Sequence, residues 1–204
     1  MWFYSADYLV LLRELCDHHD VLLIADEIAT GFGRTGSLFG CEHAGIEPDI
    51  MCLGKGMTGG YMSQAATLTN RRVAEGLSAD GGVLMHGPTF MANPLACAVA
   101  AKSIEVLVNG AWAERVAAIN TQLAAELAPL AEHSAVADAR TIGAIGVLET
   151  RAPVPVAELQ RGFVESGVWI RPFSNLIYVM PPYVIAPDDL SRLTQAMGTS
   201  LDAL

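Results

Sequence analysis

The sequence predicts an α/β protein, in which residues 1–110 belong to a large domain built on a parallel sheet and residues 111–204 form a small α+β domain. Short, continuous apolar runs in the first half are typical of parallel strands that are covered on both faces. Segments with helical spacing and glycine-rich loops separate these runs. Beyond residue 111 the pattern changes to helices mixed with short strands, which indicates a second, smaller domain.

The first half carries three strand patterns and three helix patterns. The helix patterns have clear starts: Ser5 or Asp7 is expected to cap the first, Asn70 the second and Asn93 the third, with Pro94 in the first turn. A glycine-rich loop over residues 27–47 follows the first strand, and loops of this length in compact domains are usually functional. The predicted strands are residues 21–25, 49–53 and 64–69, and the predicted helices are residues 7–19, 70–77 and 94–108.

The second half carries further helices and shorter strands. A helix pattern over residues 112–127 stops before Pro129, and another over residues 156–165 stops before Gly167. A terminal helix begins at Pro187, where two acidic residues complement the positive end of the helix dipole. The predicted strands are residues 135–140, 145–149, 168–170 and 176–180.

Composition and charge exclude several classes of function. The net charge of −10 argues against a nucleic-acid partner, because phosphate contacts need clustered Lys and Arg. No apolar run reaches the roughly 18 residues that a membrane helix needs, and the first residues do not resemble a signal peptide. The cysteines and histidines show no metal-ligand spacing. We therefore expect a cytoplasmic protein with no metal site, no membrane segment and small-molecule partners.

Two motifs near the start carry the chemistry. In residues 21–36 an apolar run ends in Asp26, and in residues 50–56 another ends in Gly54-Lys55-Gly56. Pyridoxal phosphate chemistry needs a Lys that forms a Schiff base and a carboxylate that keeps the pyridine nitrogen protonated. Each motif alone has a plainer interpretation, because an acidic residue after a buried strand and a glycine-flanked lysine in a surface turn are both common.

Three ordered strings resemble the class III aminotransferases. They are ADEIATGFGRTG at residues 25–36, DIMCLGKGMTGG at residues 49–60 and HGPTFMANPLACA at residues 86–98. The resemblance implies a fold-type I pyridoxal-phosphate-dependent transferase with Lys55 and Asp26 as catalytic residues. Lys55 would form the Schiff base and act as general base, while Asp26 would pair with the ring nitrogen.

The resemblance also implies further binding residues. Ile28 matches the branched aliphatic residue that packs on the cofactor ring, and Arg171 matches the arginine that holds the substrate carboxylate, for which a planar guanidinium is well suited. The segment Gly87-Pro88-Thr89 matches the one that reaches the cofactor phosphate of the neighbouring subunit in a homodimer. Within it, Pro88 and Thr89 are expected to bind the cofactor and Gly87 the substrate. A specificity role near the cofactor loop falls to Arg34.

Details of the strings point to one branch of the family. Many members have DEVQTGFGRTG and HGSTFGGNPLA, from which this chain departs at Ile28, Ala29 and Pro88. These departures, with GVWIRPFSNLIYVMPPY at residues 167–183, resemble the branch in biotin biosynthesis that transfers an amino group from S-adenosylmethionine to 8-amino-7-oxononanoate. Another class III omega-aminotransferase is the alternative.

The resemblance covers only the C-terminal portion of the family, whose members are about twice as long. The strings that grip the cofactor phosphate from the same subunit and stack on the other face of the ring have no match here. We therefore expect the 204-residue chain alone to be inactive. A catalytically silent fragment of such an enzyme is the second alternative.

Overall fold

The computed structural model describes residues 1–204, which divide into two compact units. The first unit is Tyr4–Ala111, and the second combines Trp112–Leu204 with Met1–Phe3. No single helix is long and apolar enough to cross a membrane, and only the bent pair of Pro94–Val108 with Trp112–Glu132 has the required length and composition.

The first unit is built on a three-stranded sheet with the order β1-β2-β3. Side-chain oxygens of Ser5, Asn70 and Asn93 accept hydrogen bonds from backbone N–H groups in the first turns of α1, α2 and α3, which confirms the predicted caps. The elements are α1 (Ala6–His18), β1 (Ile24–Asp26), β2 (Ile50–Leu53), β3 (Ala66–Thr69), α2 (Arg71–Leu77) and α3 (Pro94–Val108).

The sheet of the first unit is mixed, so the predicted parallel sheet is corrected at its third strand. Strands β1 and β2 are parallel, whereas β2 and β3 are antiparallel, with Leu53 opposite Ala66. The connection between β2 and β3 contains only a short 3-10 helix, Lys55–Thr58, and a turn. A parallel pair needs a longer crossover, usually an α-helix, so this short connection returns the chain antiparallel.

Strand β1 is shorter and more exposed than predicted. It starts at Ile24 rather than residue 21, and Val21, Leu22 and Ile24 are 54%, 41% and 59% exposed. The expectation of a strand covered on both faces is therefore wrong within this chain. β1 is also an edge strand of its sheet. Leu68 on the opposite edge strand, β3, is also half exposed.

The second unit has an antiparallel sheet with the order β4-β5-β6. Its core contains seventeen buried side chains, including the fully buried Val116, Leu123 and Phe163. On the other face of the sheet, Met1 and Phe3 pack against Ile145, Val147 and Leu176. The elements are α4 (Trp112–Leu127), β4 (Val136–Ile142), β5 (Ile145–Thr150), α5 (Val156–Glu165), β6 (Leu176–Val179) and α6 (Pro187–Leu201).

Residues 168–170 do not form the predicted strand. Val168 N–H donates to the Phe163 carbonyl at the end of α5, so this segment closes the helix rather than joining a sheet. Ile170 is nevertheless only 2% exposed and belongs to the core. Trp169, in the middle of the run, is 71% exposed, so the apolar run indicated burial correctly only for Ile170. Burial of a single residue does not distinguish a strand from an irregular segment.

Candidate active site

The parallel pairing of β1 and β2 brings Asp26 and the Lys55 turn to the same edge of the sheet, the one formed by the carboxyl ends of these two strands. Asp26 is the last residue of β1 and lies opposite Cys52 of β2, and Lys55 follows two residues after the end of β2. Ligands in α/β proteins bind at the carboxyl ends of parallel strands, because loops and polar side chains gather there. Two predicted catalytic residues therefore lie at the same sheet edge, although their roles stay predictions.

The carboxylate of Asp26 is oriented by the chain that follows it. Its Oδ1 accepts a hydrogen bond of 3.1 Å from the backbone N–H of Ile28, while Oδ2 has no hydrogen-bond partner. The side chain is exposed at the end of the strand. One oxygen thus fixes the orientation, and the other remains available to a cationic group.

Lys55 has an uncommon backbone conformation for a residue with a side chain. Its φ is +40°, in the left-handed region where non-glycine residues are rare and strain of about 1 kcal/mol or more is stored. The amine is exposed and has no hydrogen bond or ion pair in the structure. Such strain concentrates at functional sites, where the surrounding fold holds the residue in place.

The loop after Asp26 packs directly on the Lys55 turn. A Cβ atom added at Gly54 would lie 3.4 Å from Ile28 Cγ2, and one at Gly56 would lie 3.3 Å from Phe32 Cβ. Because a larger residue at position 56 would press against Phe32, the glycine permits this close approach. Ile28 therefore lies beside the lysine turn, as a residue that packs on a ring held there would.

Glu27 organises this loop and was missed in the sequence. Its side chain is only 4% exposed and accepts hydrogen bonds from the backbone N–H of Gly40 at 2.9 Å and of Cys41 at 2.8 Å, and from the Thr30 hydroxyl. These bonds hold Gly40 and Cys41 against Glu27, the first residue after β1. The only sequence signal was the acidic residue next to Asp26, which does not reveal which of the two carboxylates is buried.

The pKa of Cys41 is raised by its burial and by its position beside the buried Glu27 carboxylate. Burial and then the negative charge of Glu27 raise the pKa of the Cys41 thiol to about 11. A thiol that stays protonated at neutral pH is a poor nucleophile, so Cys41 is a packing residue.

Asp49 anchors the opposite ends of the same strands. Its Oδ2 accepts hydrogen bonds from Leu23 N–H at 2.8 Å and Arg13 Nη1 at 2.9 Å, and its Oδ1 accepts one from Asn70 Nδ2 at 2.8 Å. The Leu23 N–H bond, with the Arg13 and Asn70 bonds, outweighs burial and lowers the pKa of Asp49 to about 2. This buried carboxylate joins α1, the start of α2 and the residues directly before β1 and β2, and so supports the pairing of the two strands.

A cavity of about 730 Å³ opens next to Lys55. Its volume lies within the range of small-molecule sites. The lining residues are Lys55, Thr58, Gly60, Tyr61, Met62, Ser63, Gln64 and Ala65. Lys55 is the only positively charged side chain among them. A molecule bound in the cavity can reach its amine.

The other predicted residues of the first unit lie in two segments, the glycine-rich loop and the run 74–95. Arg34 is half-buried in the glycine-rich loop, next to the buried Thr35. Gly87, Pro88 and Thr89 lie in a continuous run of exposed residues, 74–95. The hydrogen bond of their turn joins Met91 N–H to the Pro88 carbonyl, within the segment itself.

Arg171 belongs to the second unit, in the segment between α5 and β6. Ile170 and Pro172 on either side are buried, whereas Arg171 itself is exposed and makes no hydrogen bond or ion pair. The buried neighbours hold the backbone in place and present the guanidinium outward. A planar group with five N–H donors in this setting is available to a carboxylate.

Comparisons with known proteins find relatives that match nearly the whole chain. A family model described as "Aminotransferase class-III" matches residues 1–201. The adenosylmethionine-8-amino-7-oxononanoate aminotransferase of Mycobacterium leprae is 51% identical over 198 residues, covering 97% of this chain and 45% of that protein. The protein of the same name from Buchnera aphidicola (subspecies Acyrthosiphon pisum) is 49% identical over 203 residues, covering 99% and 47%.

Solved structures are also similar to this chain over nearly its whole length. A PLP-bound amine transaminase from an uncultivated Pseudomonas species is similar with a TM-score of 0.89 and 34% identity, covering 97% of this chain and 48% of that one. A thermostable (S)-enantioselective omega-transaminase from Thermomicrobium roseum is similar with a TM-score of 0.90 and 30% identity, covering 96% and 46%. The chain spans about half the length of the curated relatives it matches.

Proposed function

Because this chain belongs to the class III aminotransferases, we propose that it supplies the catalytic lysine of an enzyme that transfers an amino group from S-adenosylmethionine to 8-amino-7-oxononanoate. The product, 7,8-diaminononanoate, would serve biotin biosynthesis. Support for this substrate pair comes from relatives about 50% identical over nearly the whole chain that bear this activity in their names. The observation that carries the proposal is the strained, unpaired Lys55 at the same sheet edge as Asp26.

Pyridoxal phosphate is the cofactor that the family and a PLP-bound relative indicate. The residues present fit it, since the amine of Lys55 and the Oδ2 of Asp26 have no partners within the chain. When bound, this cofactor acts as an electron sink that stabilises negative charge at the substrate carbon bearing the amino group.

Lys55 and Asp26 would each control a different proton of the reaction. Lys55 would bind the cofactor covalently and, once released by an amino substrate, take the proton from the substrate α-carbon. Asp26, held by Ile28 N–H, would keep the proton on the ring nitrogen, because a nearby carboxylate favours the charged form. Ile28 would pack on one face of the ring.

Arg171 would hold the substrate carboxylate, since both proposed substrates carry one. A guanidinium binds a carboxylate through two parallel hydrogen bonds, which also fixes its orientation. Pro88 and Thr89 would bind the cofactor phosphate of a neighbouring subunit, and Gly87 beside them would contact the substrate; all three are exposed and so available for these contacts. Arg34 would act in substrate specificity.

We also propose a cytoplasmic homodimer. All four cysteines are free in the structure, as is usual in a reducing compartment. Support for the dimer is the exposed segment around Thr89, in which Val83, Met85 and Phe90 are 69%, 90% and 85% exposed. Large apolar side chains that cluster on a surface mark sites of protein association.

The lysine assignment has a direct test, because the chain contains only two lysines, Lys55 and Lys102. A chimera in which residues 1–204 replace the matching portion of the Mycobacterium leprae relative should be incubated with pyridoxal phosphate and reduced with borohydride. Peptide mapping over residues 1–204 should place the cofactor on Lys55. Lys102, which is exposed on α3 and paired with Glu105 at 2.6 Å, is the internal control. Cofactor on Lys102 in place of Lys55 would contradict the assignment.

The substrate pair needs a separate measurement. The same chimera should convert 8-amino-7-oxononanoate with S-adenosylmethionine as donor, followed by the appearance of the diamine. Ornithine and γ-aminobutyrate serve as donors for comparison. A clear preference for one of these amines would favour another class III omega-aminotransferase and would refute the proposed donor, while leaving the cofactor site intact.

A further inference from the structure

The cavity beside Lys55 has a wall that the cofactor roles do not use. Thr58 and residues 60–65 form this wall, and its only aromatic side chain is Tyr61. Tyr61 is 86% exposed, so its ring contributes little to the core of the first unit. Ser63 and Gln64 on the same wall add a hydroxyl and an amide.

The loop that presents Tyr61 is firmly held. Thr58 is 1% exposed, and its hydroxyl donates a hydrogen bond of 2.5 Å to the Met62 carbonyl. Gly59 has a φ of +62°, and a Cβ there would lie 3.1 Å from Ser103 Oγ of α3. The turn is therefore fixed on both sides of Tyr61, and the ring is exposed on a rigid support, which is the property of a preorganised contact residue.

The two proposed substrates differ in the part that such a wall would recognise. S-adenosylmethionine carries an adenine ring and a ribose, whereas 8-amino-7-oxononanoate has a flexible aliphatic chain and no ring. An aromatic side chain stacks on a purine, and hydroxyl and amide groups pair with the ribose hydroxyls and the edge of the base. The combination of Tyr61, Ser63 and Gln64 thus matches the donor and offers little to the acceptor.

We propose that the cavity beside Lys55 receives the adenosyl group of the amino donor, with Tyr61 stacking on the adenine. This inference rests on the proposed function and names the residues that select its donor. Stacking on an exposed aromatic ring holds the base without a change in the loop, because the loop is already fixed. Tyr61 is therefore a specificity residue for one of the two half-reactions.

The test compares the two half-reactions in the chimera described above. Tyr61→Ala should lower kcat/KM for the half-reaction with S-adenosylmethionine by about 10-fold or more, mainly through KM, because a stacked base is lost. The half-reaction with 8-amino-7-oxononanoate, started from enzyme already carrying the amino group, should change by less than about twofold. Tyr61→Phe keeps the ring and should retain most of the donor rate.

Adenosine provides a readout independent of turnover. It should compete with the donor in the unmodified chimera and should compete about 10-fold less well in Tyr61→Ala. Tyr4→Ala is the control, since Tyr4 is a 63% exposed tyrosine of the same unit that does not line the cavity. It should leave both half-reactions and adenosine competition unchanged.

Three outcomes would overturn the inference. Equal donor rates in Tyr61→Ala and the unmodified chimera would show that Tyr61 does not contact the donor. Equal losses in both half-reactions would show a general role in folding or cofactor binding. A chimera that binds pyridoxal phosphate on Lys55 but reacts with neither substrate would refute the proposed function itself, and this inference with it.

Discussion

Asp49→Asn tests how the sheet that carries Asp26 is held together. The Asp49 side chain is 8% exposed and accepts hydrogen bonds from Leu23 N–H, Arg13 and Asn70. Asparagine has nearly the same shape but no charge, and its amide group cannot accept from these donors on both sides. The substitution therefore removes the ionic part of the contact while leaving the volume of the side chain in place.

The magnitude follows from the pKa of Asp49, which lies at about 2 instead of 3.8. A shift of one pKa unit corresponds to 1.36 kcal/mol, so the ionised carboxylate stabilises the folded state by about 2 kcal/mol. Because the folded pKa is the lower one, this stabilisation is complete above pH 3.8. It is lost as the pH falls through about 2.

Urea unfolding followed by far-ultraviolet circular dichroism, from pH 7 down to pH 2, measures this effect. We expect Asp49→Asn to lower the free energy of unfolding by about 2 kcal/mol at pH 7. The difference between the two proteins should shrink below about pH 4 and be small at pH 2, because Asp49 is then neutral in the unfolded chain and about half protonated in the folded one.

Asp20→Asn is the matched control for Asp49→Asn. Asp20 forms an ion pair with Arg72, but the two side chains are 86% and 53% exposed. Exposed pairs contribute little, so this change should cost less than about 0.5 kcal/mol. The same small cost for Asp49→Asn at pH 7, or a cost that does not depend on pH, would refute the role assigned to the buried carboxylate.

Four further predictions concern the site and its surroundings. Asp26→Asn should retain cofactor in the chimera but lower kcat about 100-fold, because a neutral partner no longer holds the ring proton; normal turnover would contradict this. Arg171→Ala should weaken both substrates by roughly 1.5–3 kcal/mol in kcat/KM, and an effect on only one would contradict a shared carboxylate site. A thiol reagent at pH 8 should modify the exposed Cys97 in the folded chain but modify Cys41, with its pKa of about 11, only after unfolding; equal rates would disprove burial of Cys41. The 204-residue chain alone should self-associate in analytical ultracentrifugation and show no transamination, whereas unaided turnover would overturn that expectation.

Local patterns predicted most of the helices and the site-bearing strand ends. The caps at Ser5, Asn70 and Asn93 depend on a side chain and its own helix, and each forms as predicted. The strands β1 and β2 were predicted from two apolar runs, each leading into a functional residue. These features depend on residues close together in the chain, which is why the sequence sufficed for them.

Features that depend on distant residues were not predictable in this way. The direction of β3 is set by how the connection from β2 folds back, and the apolar run itself is the same for either direction. Glu27 is buried because the loop returns Gly40 and Cys41 to its carboxylate, thirteen and fourteen residues later. Neighbouring residues such as Asp26 and Glu27 carry the same charge, and only this long-range contact assigns one to the loop and leaves the other exposed.

The two units differ in how completely they bury their apolar residues, and this bears on where catalysis can occur. The second unit has a core of seventeen buried side chains, whereas the main cluster of the first has four: Phe32, Leu53, Met57 and Ala100. Most of the exposed large apolar side chains belong to the first unit, which also carries Lys55 and Asp26. An ion pair between Asp26 and a cofactor ring is weak in water and strengthens when water is excluded. Polypeptide that covers this exposed surface would therefore both stabilise the sheet and lower the local dielectric around Lys55, so that activity and burial of the first unit should rise together.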